Sequence, residues 1–117
     1  MALKIRKNRS PRPLCPLGEC MSVLGGAWAP NVIWYLSAGP RRFSELRQDI
    51  GDVSAKVLTQ RLRELEERGV ILRRVMPTSP PSVEYELTEL GREFRPVIES
   101  IVAAGHRLKA RTAALAS

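Results

Sequence analysis

The chain has 117 residues, 44% hydrophobic and 26% charged, which suits one soluble domain with one core. No apolar run is long enough to cross a bilayer, and no apolar stretch follows the basic N-terminus as a signal peptide requires, so the expected compartment is the cytoplasm. The 19 Lys and Arg against 12 Asp and Glu leave a net charge of +7, which favours a polyanionic partner; with 5% aromatic residues, nucleic acid ranks above a membrane surface.

Residues 1–13 carry Lys4, Arg6, Lys7, Arg9 and Arg12 with no acid, and Pro11 and Pro13 discourage a helix. This basic arm is either a solvated tail or a contact to DNA phosphate. Residues 14–108 read as the folded domain and residues 109–117 as an alanine-rich C-terminal tail. The spacing of Leu17, Met21 and Leu24 predicts a helix over Cys15–Leu24, entered at Pro16 and broken by Gly25 and Gly26. Pro30 suits the first position of a second helix, Pro30–Leu36, whose Val32, Ile33, Trp34 and Leu36 mark it as the centre of the core. Trp28 and Trp34 read as packing residues rather than ligand-stacking ones. A turn over Ser37–Arg42 follows, then a short helix, Glu45–Asp49, with Ser44 as its N-cap and Leu46 and Ile50 pointing inward.

Ser54–Gly69 is the stretch that the rest serves. Ser54 suits an N-cap, Gly69 a left-handed stop, and Glu64 and Arg68 are spaced for an i,i+4 pair. At helical period Leu58, Leu62 and Leu65 share a narrow apolar face, while Lys56, Thr59, Gln60, Arg63 and Glu67 fall opposite. The outward row can read base edges and hold phosphates, and two short helices around the Gly51–Val53 turn make a helix-turn-helix. An ordinary amphipathic helix with a solvated face is the plain alternative.

After Gly69 the period changes to that of strands. Val70–Met76 and the alternating Val83–Leu87 predict a hairpin around Pro77–Ser82, in the place where a wing follows a recognition helix. Arg73 and Arg74 either contact DNA phosphate or pair with Glu84 and Glu86 across the hairpin, and at least one is expected to pair. Thr88 caps a long final helix whose stripe includes Leu90, Phe94, Val97, Ile98, Ile101, Val102 and Leu108, with Pro96 either a kink or part of the first turns. That stripe exceeds what a small domain covers, so this helix and the first one, through Leu17 and Met21, are the expected dimerisation elements. His106 reads as solvated or partner-facing.

Catalysis and metal binding find no support. Cys15 and Cys20 form neither a CxxC pattern nor a disulfide scaffold, the only histidine is His106, and no paired carboxylates, phosphate-cradling glycine loop or Ser/His/Asp set occurs. Cys20 reads as core. No residue pattern assigns a cofactor or a small-molecule effector.

Several strings together resemble the HxlR-type winged helix-turn-helix regulators, a bacterial branch near the MarR group. They are CP at Cys15–Pro16, LGGAW at Leu24–Trp28, RRFSELR at Arg41–Arg47, SAKVLTQRLRELEERGVI at Ser54–Ile71 and PPSVEYELTELG at Pro80–Gly91. The resemblance implies a mainly α (α+β) winged helix-turn-helix with a two-stranded β-hairpin wing and flanking dimerisation helices. It further implies a homodimer that regulates transcription by binding double-stranded DNA at a roughly palindromic operator. The implied DNA face is Ser54, Lys56, Thr59, Gln60 and Arg63, with Arg73 and Arg74 near the wing. Ala27 and Ala29 depart from the family, which often carries lysines there. In some members the cysteine matching Cys15 senses oxidants or electrophiles; Arg12, three residues upstream, favours a thiolate, while a structural CP turn with an inert thiol is the alternative. The competing function is a winged-helix module that uses the same basic face on protein or RNA without sequence-specific DNA binding.

Overall fold

The structure is a computed structural model that describes residues 16–116; the basic arm and Cys15 lie outside the described residues. Its elements are α1 (Pro16–Leu24), α2 (Ala29–Leu36), β1 (Arg41–Arg42), α3 (Phe43–Ile50), α4 (Ala55–Glu67), β2 (Ile71–Met76), β3 (Ser82–Leu87), α5 (Glu89–Glu93) and α6 (Arg95–Ala116). The fold is a winged helix-turn-helix: mainly helical, with a small antiparallel sheet in the order β1-β3-β2.

That sheet has three strands where the sequence indicated two. Arg41 and Arg42 pair with Tyr85 and Glu84 of β3, making β3 the central strand. Two residues are too few to display a strand period, so they read as part of a turn. The strand runs directly into α3, which begins at Phe43 rather than Glu45. Arg42, extended at φ −79° and ψ 160°, takes the cap position in place of Ser44, and its backbone N–H donates to Glu45 Oε1 at 2.7 Å. Glu45 therefore closes the helix start from within.

The expected final helix is two helices. Thr88 caps α5 as predicted, its hydroxyl oxygen accepting the Gly91 N–H at 3.0 Å. The chain then breaks at Phe94 and α6 starts with Pro96 in its second position. Proline has no N–H to offer the carbonyl one turn back, so it sits where none is needed.

One apolar cluster holds the layers together. Val32, Ile33 and Leu36 of α2 meet Leu46 of α3, Leu58, Leu62 and Leu65 of α4, and Ile98 of α6, all buried. Ile98 is 2% exposed and belongs to the protomer's own core, which corrects its assignment to a dimer interface; Phe94 and Val102 are half-buried against the same core. Trp28 packs on the cluster, but Trp34 is 39% exposed, because α2 turns Ala29, Val32, Ile33 and Leu36 inward and leaves Trp34 outside. Cys20 is likewise only half-buried and outside the cluster. Among the described residues no helix is long and apolar enough to cross a membrane.

Candidate nucleic-acid interface

α3, the turn at residues 51–54 and α4 form the helix-turn-helix. Ser54 is extended, and its Oγ accepts the Val57 N–H at 3.1 Å. Such a cap contributes about 1 kcal/mol and fixes where the helix starts. At the other end Gly69 takes φ 75°, a left-handed stop that a side chain would strain. The turn is tied from behind by Arg47, whose Nε donates to the Val53 carbonyl at 3.4 Å.

The three leucines seat α4 and decide which edge faces outward. Leu58, Leu62 and Leu65 are each no more than 2% exposed. Ser54, Lys56, Gln60 and Arg63 are exposed and Thr59 is half-buried, its hydroxyl donating to the Ala55 carbonyl at 2.8 Å. Lys56, Thr59, Gln60 and Arg63 line one shallow open face together with Ala55, Glu64 and Glu67. A second open recess lies on α3, lined by Phe43, Ser44, Arg47, Gln48 and Gly51.

Sequence reasoning missed two members of this region. Glu64 lies on the outward face and pairs with Arg61 (Nη1 to Oε2, 3.0 Å), not with Arg68. Arg68 instead donates from Nη1 to Ser22 Oγ of α1 at 2.9 Å. Arg61 bridges backward as well, its Nε donating to the Ala27 carbonyl at 2.8 Å. The signal was present, since Gln60 and Arg61 precede Glu64 by four and three residues, but the i,i+4 orientation pointed to Arg68.

On the wing, Arg74 sits opposite Glu84 in register and forms an ion pair with Glu86 on the diagonal. Arg73 lies opposite Tyr85, is exposed, and makes no ion pair with the described residues. Away from this face, Leu17 and Met21 of α1 and Val97, Ile101 and Leu108 of α6 are exposed apolar side chains. His106 is exposed too. No group of three or more His, Cys, Asp or Glu among the described residues is arranged to hold a metal.

A leucine-backed helix with a polar outward edge, preceded by a short helix and a tight turn and followed by an antiparallel hairpin, defines a DNA-binding winged helix-turn-helix protein. The family model of HxlR-like helix-turn-helix proteins matches residues 23–112, and the chain belongs to that family. It is 40% identical over 97 residues to the uncharacterised HTH-type transcriptional regulator YdeP of Bacillus subtilis, covering 83% of this chain and 76% of YdeP. Among solved structures it is similar to the HTH-type regulator YtcD, with a TM-score of 0.77 and 37% identity over 83% of this chain and 99% of that one. It is also similar to the redox regulator HypR in its oxidised form, with a TM-score of 0.76 and 35% identity over 80% of this chain and 96% of that one. A further neighbour is the reduced form of YodB from B. subtilis, with a TM-score of 0.70 and 37% identity over 78% and 90% of the two chains. The protein is a transcriptional regulator of the HxlR/MarR type and not an enzyme.

Proposed function

We propose that the protein acts as a cytoplasmic homodimer that lays two copies of α4 in the major groove of a roughly palindromic operator. The observation that carries this reading is the outward edge of α4: Lys56, Gln60 and Arg63 stand exposed while Leu58, Leu62 and Leu65 fix their direction from behind. Ser54 and Thr59 lie on the same edge with hydroxyl oxygens that remain acceptors, and Arg73 and Arg74 reach phosphate from the wing. Dimerisation is supported by Leu17, Met21, Val97, Ile101 and Leu108, which form apolar surface that a second copy would cover, with Phe94 and Val102 at its margin. Selection of bound duplexes from a random pool tests the reading. It is expected to enrich an inverted repeat whose half-sites lie about 10 base pairs apart; a pool that stays random removes it in favour of a module that binds protein or RNA.

Cys15 carries an oxidant or electrophile response within this proposal. Support comes from Arg12 nearby in sequence, which favours the thiolate, and from the similarity to HypR, a redox regulator. Diamide would oxidise the Cys15 thiols of two protomers to one disulfide, itself gaining the two electrons and two protons. Operator release under diamide is expected in the native chain and absent in Cys15→Ser; equal release in both removes the sensor role.

A further inference from the structure

Glu64 and Glu67 both put a carboxylate on the outward face of α4, and Glu64 is the one bonded to Gln60. A carboxylate turned toward duplex phosphate is repelled, yet it shares the open face of Lys56, Gln60 and Arg63. Both its oxygens are occupied by protein donors. Arg61 Nη1 donates to Oε1 at 3.1 Å and to Oε2 at 3.0 Å, and Gln60 Nε2 donates to Oε1 at 3.3 Å. Arg61 is anchored in turn, because its Nε donates to the Ala27 carbonyl in the turn between α1 and α2 at 2.8 Å. A relay of hydrogen bonds thus runs from a backbone carbonyl, through Arg61 and Glu64, to the amide of Gln60.

The consequence for Gln60 is chemical. Its amide has two N–H donors and one carbonyl acceptor. A carboxylate only accepts, so it admits one flip of that amide, the one that turns the NH2 toward Glu64. One N–H is then engaged, and one N–H and the carbonyl remain for a ligand. Adenine offers one acceptor and one donor in the major groove, N7 and the N6 amino group, whereas guanine offers two acceptors, N7 and O6. The engaged amide matches adenine; a free amide can also turn both N–H groups to guanine.

We infer that Glu64 is a specificity-determining positioning residue, which touches no base but holds Gln60 in the one amide orientation that reads adenine over guanine, with Arg61 steadying the carboxylate from Ala27. The inference rests on the reading that α4 enters the major groove.

Binding titrations of the full chain test it, using the selected operator, its single-base-pair substitutions and a random duplex at fixed salt. Gln60→Ala is expected to lose base preference at one pair per half-site. Glu64→Ala should lower adenine-over-guanine preference at that same pair about tenfold, while affinity for random duplex rises a few fold, to about threefold, as a negative charge is removed. A purely structural residue would not raise one affinity while relaxing one base pair. Glu64→Gln should relax the pair as well, since its amide accepts either flip of Gln60. Arg61→Ala should do the same, and Gly26→Ala gives an independent route, because a Cβ there would stand 3.1 Å from Arg61 Nε. If Gln60→Ala alters one pair and Glu64→Ala keeps native preference there, this inference is overturned and the α4 reading stands. If Gln60→Ala alters no pair, this inference is likewise overturned, while the α4 reading is decided separately by the duplex selection and by Arg63→Ala.

Discussion

A Cβ built on Gly91 would lie 2.1 Å from the carbonyl oxygen of Val70. The same oxygen accepts the Thr88 N–H at 3.0 Å and the Thr88 hydroxyl at 3.0 Å. Val70 follows the end of α4 and leads into β2, while Gly91 lies in α5. The recognition helix, the wing and the final helices are therefore joined at one point, where any side chain at residue 91 must push the backbone of residue 70. Gly91→Ala is expected to destabilise the protein by about 1–3 kcal/mol, and on a domain of this size each kcal/mol lowers Tm by roughly 4–8 °C. Thermal unfolding followed by circular dichroism checks this; an unchanged Tm would mean that the junction relaxes freely.

The two wing arginines are expected to separate in their salt dependence. Arg73 has no ion-pair partner among the described residues, whereas Arg74 is held by Glu86. A side chain already paired has less to give to phosphate. Arg73→Ala should reduce the slope of log affinity against log salt by about one, and Arg74→Ala by clearly less. Titrations at several salt concentrations distinguish them, and equal slopes for both variants would contradict the assignment.

Two isoleucines three residues apart on α6 should behave oppositely. Ile98 is 2% exposed in the core and Ile101 is 51% exposed. Ile98→Ala should cost about 2–5 kcal/mol of stability. Ile101→Asp should leave the protomer folded and shift it from dimer to monomer, as read by sedimentation velocity. A folded dimer in Ile101→Asp would place the dimer surface elsewhere.

What was legible in the sequence follows from the length of each signal. α4 announced itself because Ser54, three leucines and Gly69 agree on one start, one face and one stop. The wing was legible from alternation over Val83–Leu87. β1 was not, because Arg41–Arg42 is shorter than any period, and it is defined only by its pairing with β3. Ser44 looked like a cap by residue type, but Glu45 reaching back to Arg42 sets the start two residues earlier. Periodicity placed Ile98 and Ile101 on one stripe without saying which part the protomer covers itself. Spacing pointed Glu64 to Arg68, and only the fold, by bringing Ala27 beside Arg61 and Ser22 beside Arg68, gave it Arg61 instead.

The central claim is that the outward edge of α4 reads bases. The most direct measurement is the ratio of affinities for the selected operator and a random duplex at one salt concentration, taken for the native chain and for Arg63→Ala. The expected native ratio is about 10³ or more, falling roughly tenfold in Arg63→Ala through weaker operator binding. Equal native affinity for both duplexes, or a ratio unmoved by Arg63→Ala, would contradict the claim.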